Sequence, residues 1–180
     1  MARSTNTLTR IALFAALLAL SAFIRIPAGP VPLTLQSTAA LLCGYCLGPR
    51  QGAAAALLYT AVGLAGLPVF ASGGGPAYLL SPTFGYILGF TFCAAVTGAL
   101  APLNRRGSAF SAYLIMLAGL AALYLPGLAW LYLMLRHLSG APANIATILQ
   151  AGLFIPFAGD LVKTIPAAVI GTRIRAIIKR

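Results

Sequence analysis

The stretch NIATILQAGLFIPFAGDLVKTIPAAVIGT, residues 144–172, contains the only acidic side chain of the chain, Asp160, and three positions on a lysine, Lys163. Nearly everything around the pair is apolar, and the run is longer than one membrane span needs. Pro156 is poorly placed inside a helix, because it has no N–H to close a turn, but well placed in a first turn. The sequence therefore predicts two pieces. A short, half-apolar helix over about 143–154 lies on the outer surface, and a span runs from Pro156 to about Arg175. About twenty residues rising ~1.5 Å each cross a hydrocarbon core of ~30 Å. Asp160 and Lys163 then fall in the outer third, close to a helix start whose dipole favours the acid as an anion.

Composition supports a membrane reading for the whole chain. Of the 180 residues 61% are hydrophobic and 7% charged, where a soluble domain carries about a quarter charged residues. The 19 glycines and 12 prolines would argue for loops in a soluble helical protein, but membrane bundles accept both. No stretch is long or polar enough for a separate soluble domain, so residues 1–180 form one membrane domain. The net charge of +11 does not point to nucleic acid: the basic residues are scattered between apolar runs rather than gathered on one face.

Six spans are expected, over about 8–26, 35–48, 52–70, 83–101, 110–128 and 156–175, the fifth reaching Arg136 if it tilts or kinks at Pro126–Gly127. The first apolar run follows Arg3 and Arg10 and reads as a retained helix rather than a cleaved leader. Its segment ALFAALLA carries two overlapping small-xxx-small pairs, Ala12/Ala16 and Ala15/Ala19, which allow close helix contact. PAGPVPLTLQ, residues 27–36, has prolines at 27, 30 and 32 and reads as an extended connection. Six spans place both termini on one side, with Arg3, Arg10, Arg50, Arg105, Arg106, Arg173, Arg175, Lys179 and Arg180; the other side has Arg25 and Arg136. By the positive-inside rule both termini are cytoplasmic.

A charged side chain deep in a membrane costs about 2.5–3.5 kcal/mol on insertion scales. Asp160 and Lys163, at i and i+3, share a helix face and offset one another. The pair serves either as a self-neutralising packing contact or as the polar floor of a solvent-accessible cavity. In the second case it presents an acceptor beside a donor, which suits a urea or an amide better than a simple ion. Thr34, Gln36, Tyr86, Asn144 and Gln150 could converge on it from the outer side, although each alone is equally an ordinary hydrogen-bonding or loop residue. Cys43 and Cys46 form a C-x-x-C with no second ligand pair and read as two small residues one helical turn apart. Gly73–Gly75 are not a phosphate loop, since no G-K-[ST] follows. Gly44/Gly48 and Gly85/Gly89 have the G-xxx-G spacing of close helix packing. No nucleophile, base or metal set for catalysis can be assembled around the single His137 and the lone carboxylate. Three readings stay open at this point: a substrate-binding transport subunit, a proton-coupled carrier in which Asp160 titrates, or a non-catalytic membrane scaffold.

Read in order, PVPLTLQ (30–36), LGPRQG (47–52), GLAGLPVFASGGGP (63–76), SPTFGYILGF (81–90) and IPFAGDLVK (155–163) resemble the BioY family, the biotin-binding S components of energy-coupling factor (ECF) transporters. The family usually reads G-P-T-G-G-Y where this chain has Ser81-Pro82-Thr83-Phe84-Gly85-Tyr86. The resemblance implies an all-α, six-helix S-component bundle in the cell membrane, with biotin as ligand and no cofactor. It further implies an outward-opening site covered by the connection between the first two spans. The first helix would dock through its small-xxx-small face onto a transmembrane coupling subunit driven by two ATPases. Biotin's ureido ring has the donor–acceptor character inferred for the Asp160/Lys163 site.

Overall fold

A computed structural model describes residues 2–27, 31–138 and 144–178. Helix α1 (Ala2–Ser21) is followed by a two-stranded antiparallel hairpin, β1 (Arg25–Ile26) and β2 (Leu33–Thr34), with Arg25 opposite Thr34. Then come α2 (Gln36–Leu47), α3 (Pro49–Leu64), a 3-10 turn (Pro76–Leu80), α4 (Phe84–Leu100), α5 (Ala109–Leu138), the short α6 (Ile145–Leu149), a π-helical segment (Gln150–Phe154) and α7 (Ile155–Ile178). The architecture is all-α, with six long helices and a minimal hairpin.

Helix α4 lies at the centre, packed against α2, α3 and α5, while α7 closes the bundle against α2 and α5. Glycine makes these approaches possible. A Cβ on Gly44 would stand 2.2 Å from the Ala94 carbonyl oxygen, and one on Gly89 would stand 2.5 Å from that of Leu123. Gly85 meets the Pro126 carbonyl and Trp130 in the same way. Gly48 is different: nothing lies within 4 Å of its missing Cβ, but its φ of 84° is the left-handed conformation that turns α2 directly into α3. Pro49 then supplies a preset first-turn φ.

Several expected boundaries move. Helix α1 begins at Ala2 and ends at Ser21 rather than spanning 8–26, because residues 25–26 leave the helix to pair with β2. Helix α3 stops at Leu64, not 70, ahead of Gly66 (φ 112°) and Pro68. Helix α5 continues through Pro126 to Leu138. Among the described residues, three stretches are long and apolar enough to cross a membrane, Phe84–Leu103, Ala109–His137 and Gln150–Ile178, and Thr5–Ser21 is a shorter apolar helix. Twelve-residue α2 rises only ~18 Å, and its first turn follows directly on the hairpin.

The two-piece reading of the last helix is corrected. Helix α6, the π segment and α7 are continuous from Ile145 to Ile178, so Pro156 does not start a helix. Residue 143 lies outside the described residues. The π segment absorbs the proline: the Ile155 N–H bonds back to the Gln150 carbonyl, five residues away. Pro156 has no N–H for the Gly152 carbonyl four residues before it, and the Tyr86 hydroxyl donates there instead at 2.7 Å. The helix-start dipole therefore does not explain the position of Asp160. Its partners do.

Candidate functional site

Asp160 is 5% exposed, and three elements converge on its carboxylate. The Ser37 hydroxyl, at the start of α2, donates to Oδ1 at 2.7 Å. Lys163 Nζ, one turn along α7, lies 2.6 Å from the same oxygen. The Tyr124 hydroxyl, on α5, donates to Oδ2 at 2.7 Å. A carboxylate offers about four acceptor positions, two per oxygen. Oδ1 is filled, and Oδ2 retains one.

Asp160 borders a cavity of about 60 Å³. Its polar lining comprises Thr34, Gln36, Ser37, Tyr78, Thr83, Tyr86, Tyr124 and Asp160, and its apolar wall includes Val31, Leu33, Ile87, Phe90 and Leu123. Each side chain is held by its own element. Tyr86 is fixed by Gly152, and its ring stands edge-on to Tyr124 at 6.0 Å. Gln36 donates through Nε2 to the Tyr59 hydroxyl, and its Oε1 accepts from Thr34 Oγ1 at 3.3 Å. Thr83 Oγ1 pairs with the hydroxyls of Tyr78 (3.1 Å) and Ser81 (2.9 Å). The result is an aromatic slot with one anionic acceptor and several hydroxyls.

Of the six ligand-binding residues expected from sequence, four line this cavity: Asp160, Tyr86, Gln36 and Thr34. Lys163 sits behind Asp160 and is not in the lining; it donates to the Thr34 main-chain carbonyl and reaches Ser37 Oγ at 3.4 Å. All three of its N–H donors are thereby engaged. Asn144 is exposed and caps α6, its Oδ1 accepting from the Ala146 N–H at 3.0 Å. Gln150 borders a different, outward-facing groove with Phe154 and Ala158. Phe84, the departure from the family motif, is not in the lining; it packs edge-on against Trp130 at 5.5 Å. On α1 the small residues divide. Ala12 and Ala16 are exposed, whereas Ala15 is buried and Ala19 half-buried. Ala15 cannot contribute to a docking face, because helical spacing turns it into the core.

Sequence reasoning missed Ser37, Tyr78, Thr83 and Tyr124. Ser37 and Thr83 adjoin segments already singled out, so a hydroxyl search beside Gln36 and Tyr86 would have found them. Tyr124 has no such signal, since Tyr113 and Tyr132 stand in the same apolar helix.

Known proteins resemble this chain over nearly its whole length. The BioY family model matches residues 1–180. The chain is 37% identical over 174 residues to a probable biotin transporter BioY of Lysinibacillus sphaericus, covering 96% of this chain and 88% of that protein. It is also 37% identical over 171 residues to a biotin transporter BioY of Thermotoga maritima, covering 93% and 95%. A crystal structure of the S-component for biotin from an ECF-type ABC transporter superposes with a TM-score of 0.82 at 31% identity, over 97% of this chain and 93% of the other.

Proposed function

Because this chain belongs to the BioY family, we propose that it is the biotin-binding, substrate-specific subunit of a vitamin transporter, a membrane protein and not an enzyme. The observation that carries the reading is the acceptor position left on Asp160 Oδ2 at the wall of an aromatic cavity. A ureido N–H donates there, and the fused rings lie against Ile87, Phe90 and Leu123. Lys163 holds Asp160 in place and ties down the Thr34 carbonyl.

A cavity of about 60 Å³ is well below the ~300–1,000 Å³ of ligand pockets, so part of the wall gives way to admit biotin. The hairpin is short, with two residues per strand. It carries Leu33 and Thr34 and serves as the cover. Lys163, and Arg25 through its bond to the Ala71 carbonyl, fasten it at two points. The test is direct. Protein purified gently from biotin-fed cells should release biotin in near-equimolar amount by mass spectrometry. Finding none, together with no binding of labelled biotin, would overturn the assignment.

Transport then needs an external energy source, which we assign to a membrane coupling subunit and two ATPases, with both termini of this chain in the cytoplasm. The exposed Ala12/Ala16 face supports a close helix contact there. Replacing both alanines by leucine is expected to leave biotin affinity within about twofold, as neither residue lines the cavity. Uptake by cells that express the whole transporter should fall at least about tenfold, since the added side chains hold a partner helix off. Full uptake by the double variant would remove this face from the interface.

A further inference from the structure

We propose that the end of the bundle opposite the biotin cavity contains a site for the phosphate of an anionic lipid headgroup. A groove of about 340 Å³ opens there between the first half of α1, the α2–α3 turn, the end of α4 and the end of α7. Arg10, Tyr45, Gln51 and Arg175 supply its polar lining. The lining contains no carboxylate. The single acid, Asp160, lies fifteen residues before Arg175 on α7, or ~22 Å along the axis, and is engaged by Lys163.

Arg175 is not simply left in solvent. Arg175 is half-buried, its guanidinium sits 5.0 Å from the centre of the Tyr45 ring, and Nη1 donates to the Ala101 carbonyl. That uses one of five N–H donors. Tyr45 is 2% exposed, and its hydroxyl accepts from Asn104 Nδ2 at 2.7 Å. No described residue accepts the Tyr45 hydroxyl proton. Asn104 is locked in turn by its bonds with Ser108. A buried hydroxyl with an unassigned proton therefore stands beside a pre-positioned guanidinium, with a second arginine across the groove. Among the described residues Arg10 has no ion pair. Tetrahedral phosphate accepts from all three.

The groove lies where the apolar stretch ending at Ile178 finishes, which is headgroup depth in a bilayer. Basic pockets between helix ends at this level are suited to acidic phospholipids. This inference does not rest on the biotin assignment.

The experiment is native mass spectrometry of the protein in micelles doped with equal phosphatidylglycerol and phosphatidylcholine. The wild type should retain phosphatidylglycerol preferentially. Arg10→Gln should weaken that preference about fivefold, and Arg10→Gln with Arg175→Gln about 25-fold, at roughly a fivefold loss per interfacial arginine. Arg105→Gln with Arg106→Gln, at the same end but outside the groove, should leave it unchanged. Equal retention of the two lipids, or an equal loss in the Arg105/Arg106 variant, would overturn the site. Displacement of the lipid by millimolar inorganic phosphate would overturn the headgroup assignment in favour of a soluble anion. A double variant that keeps its lipid but no longer captures the coupling subunit would overturn it in favour of a protein contact. Because Arg175 also supports Tyr45, the exposed Arg10→Gln variant alone decides the matter if the double variant misfolds.

Discussion

Asp160→Asn is expected to weaken biotin binding about 100-fold. A hydrogen bond to a charged group contributes about 1.5–3 kcal/mol, and each 1.4 kcal/mol is tenfold in affinity. The amide adds a second penalty. Ser37, Tyr124 and Lys163 all donate to the carboxylate. An asparagine must turn its own NH2 toward one of those donors and lose the open acceptor or one of its supports. The protein should also be less stable, because Lys163 is left without its counter-charge. Breaking a fully buried pair costs about 3–5 kcal/mol, but the Lys163 side chain is 21% exposed, so a loss below that range is expected. Calorimetry on the folded, monodisperse fraction separates the two effects.

Lys163→Ala makes a useful contrast. If Lys163 fastens the cover, its loss should speed biotin release more than it slows entry, since Thr34 loses its tie to α7. Affinity unchanged in both variants would remove the Asp160–Lys163 pair from the site. Unchanged affinity in Lys163→Ala alone would leave Asp160 as the ligand contact and cancel the fastening role.

The second large effect is on the fold. Gly44→Val should yield little or no monodisperse protein. Even the Cβ would stand 2.2 Å from the Ala94 carbonyl oxygen and 2.8 Å from its Cα, both backbone atoms that cannot turn aside. Helices α2 and α4 would have to separate. Overpacking a core costs typically 1–3 kcal/mol and more when backbone must shift. Here the separation would also dismantle the cavity, since α2 carries Gln36 and Ser37 while α4 carries Tyr86, Ile87 and Phe90. Gly48→Ala, four residues on, has free space around the new methyl and faces only the cost of its left-handed φ, of order 1–2 kcal/mol. It should remain foldable with a lowered unfolding midpoint. Size-exclusion profiles and thermal unfolding in detergent compare the pair. Matching behaviour of the two variants would show that α2 and α4 do not approach this closely.

That comparison also shows where sequence stops. Gly44 and Gly48 form one G-xxx-G by spacing, yet one permits a helix crossing and the other a turn. Spacing records which residues share a face, not which faces meet. The same holds on α1, where two small-xxx-small pairs were equivalent as text. The packing of α1 against α2 and α3 exposes Ala12 and Ala16 and withdraws Ala15.

Composition and order alone determined that this is an all-α membrane protein of six helices, and the ordered motifs placed it in its family. Hydrophobic length acts locally along a chain, so a linear reading can recover it. Asp160 and Lys163 were likewise legible, because a charge pair in an apolar run is costly wherever the run ends up. The tertiary structure decided which groups the pair meets. It brought Ser37 and Tyr124 to the carboxylate from 123 and 36 residues away. It turned Lys163 toward the Thr34 carbonyl rather than the cavity. It also kept the helix continuous through Pro156 by lending the Gly152 carbonyl a hydroxyl from α4. Each outcome depends on hydrogen bonds between elements distant in sequence. Their partners are chosen by how the helices pack, which no local pattern encodes.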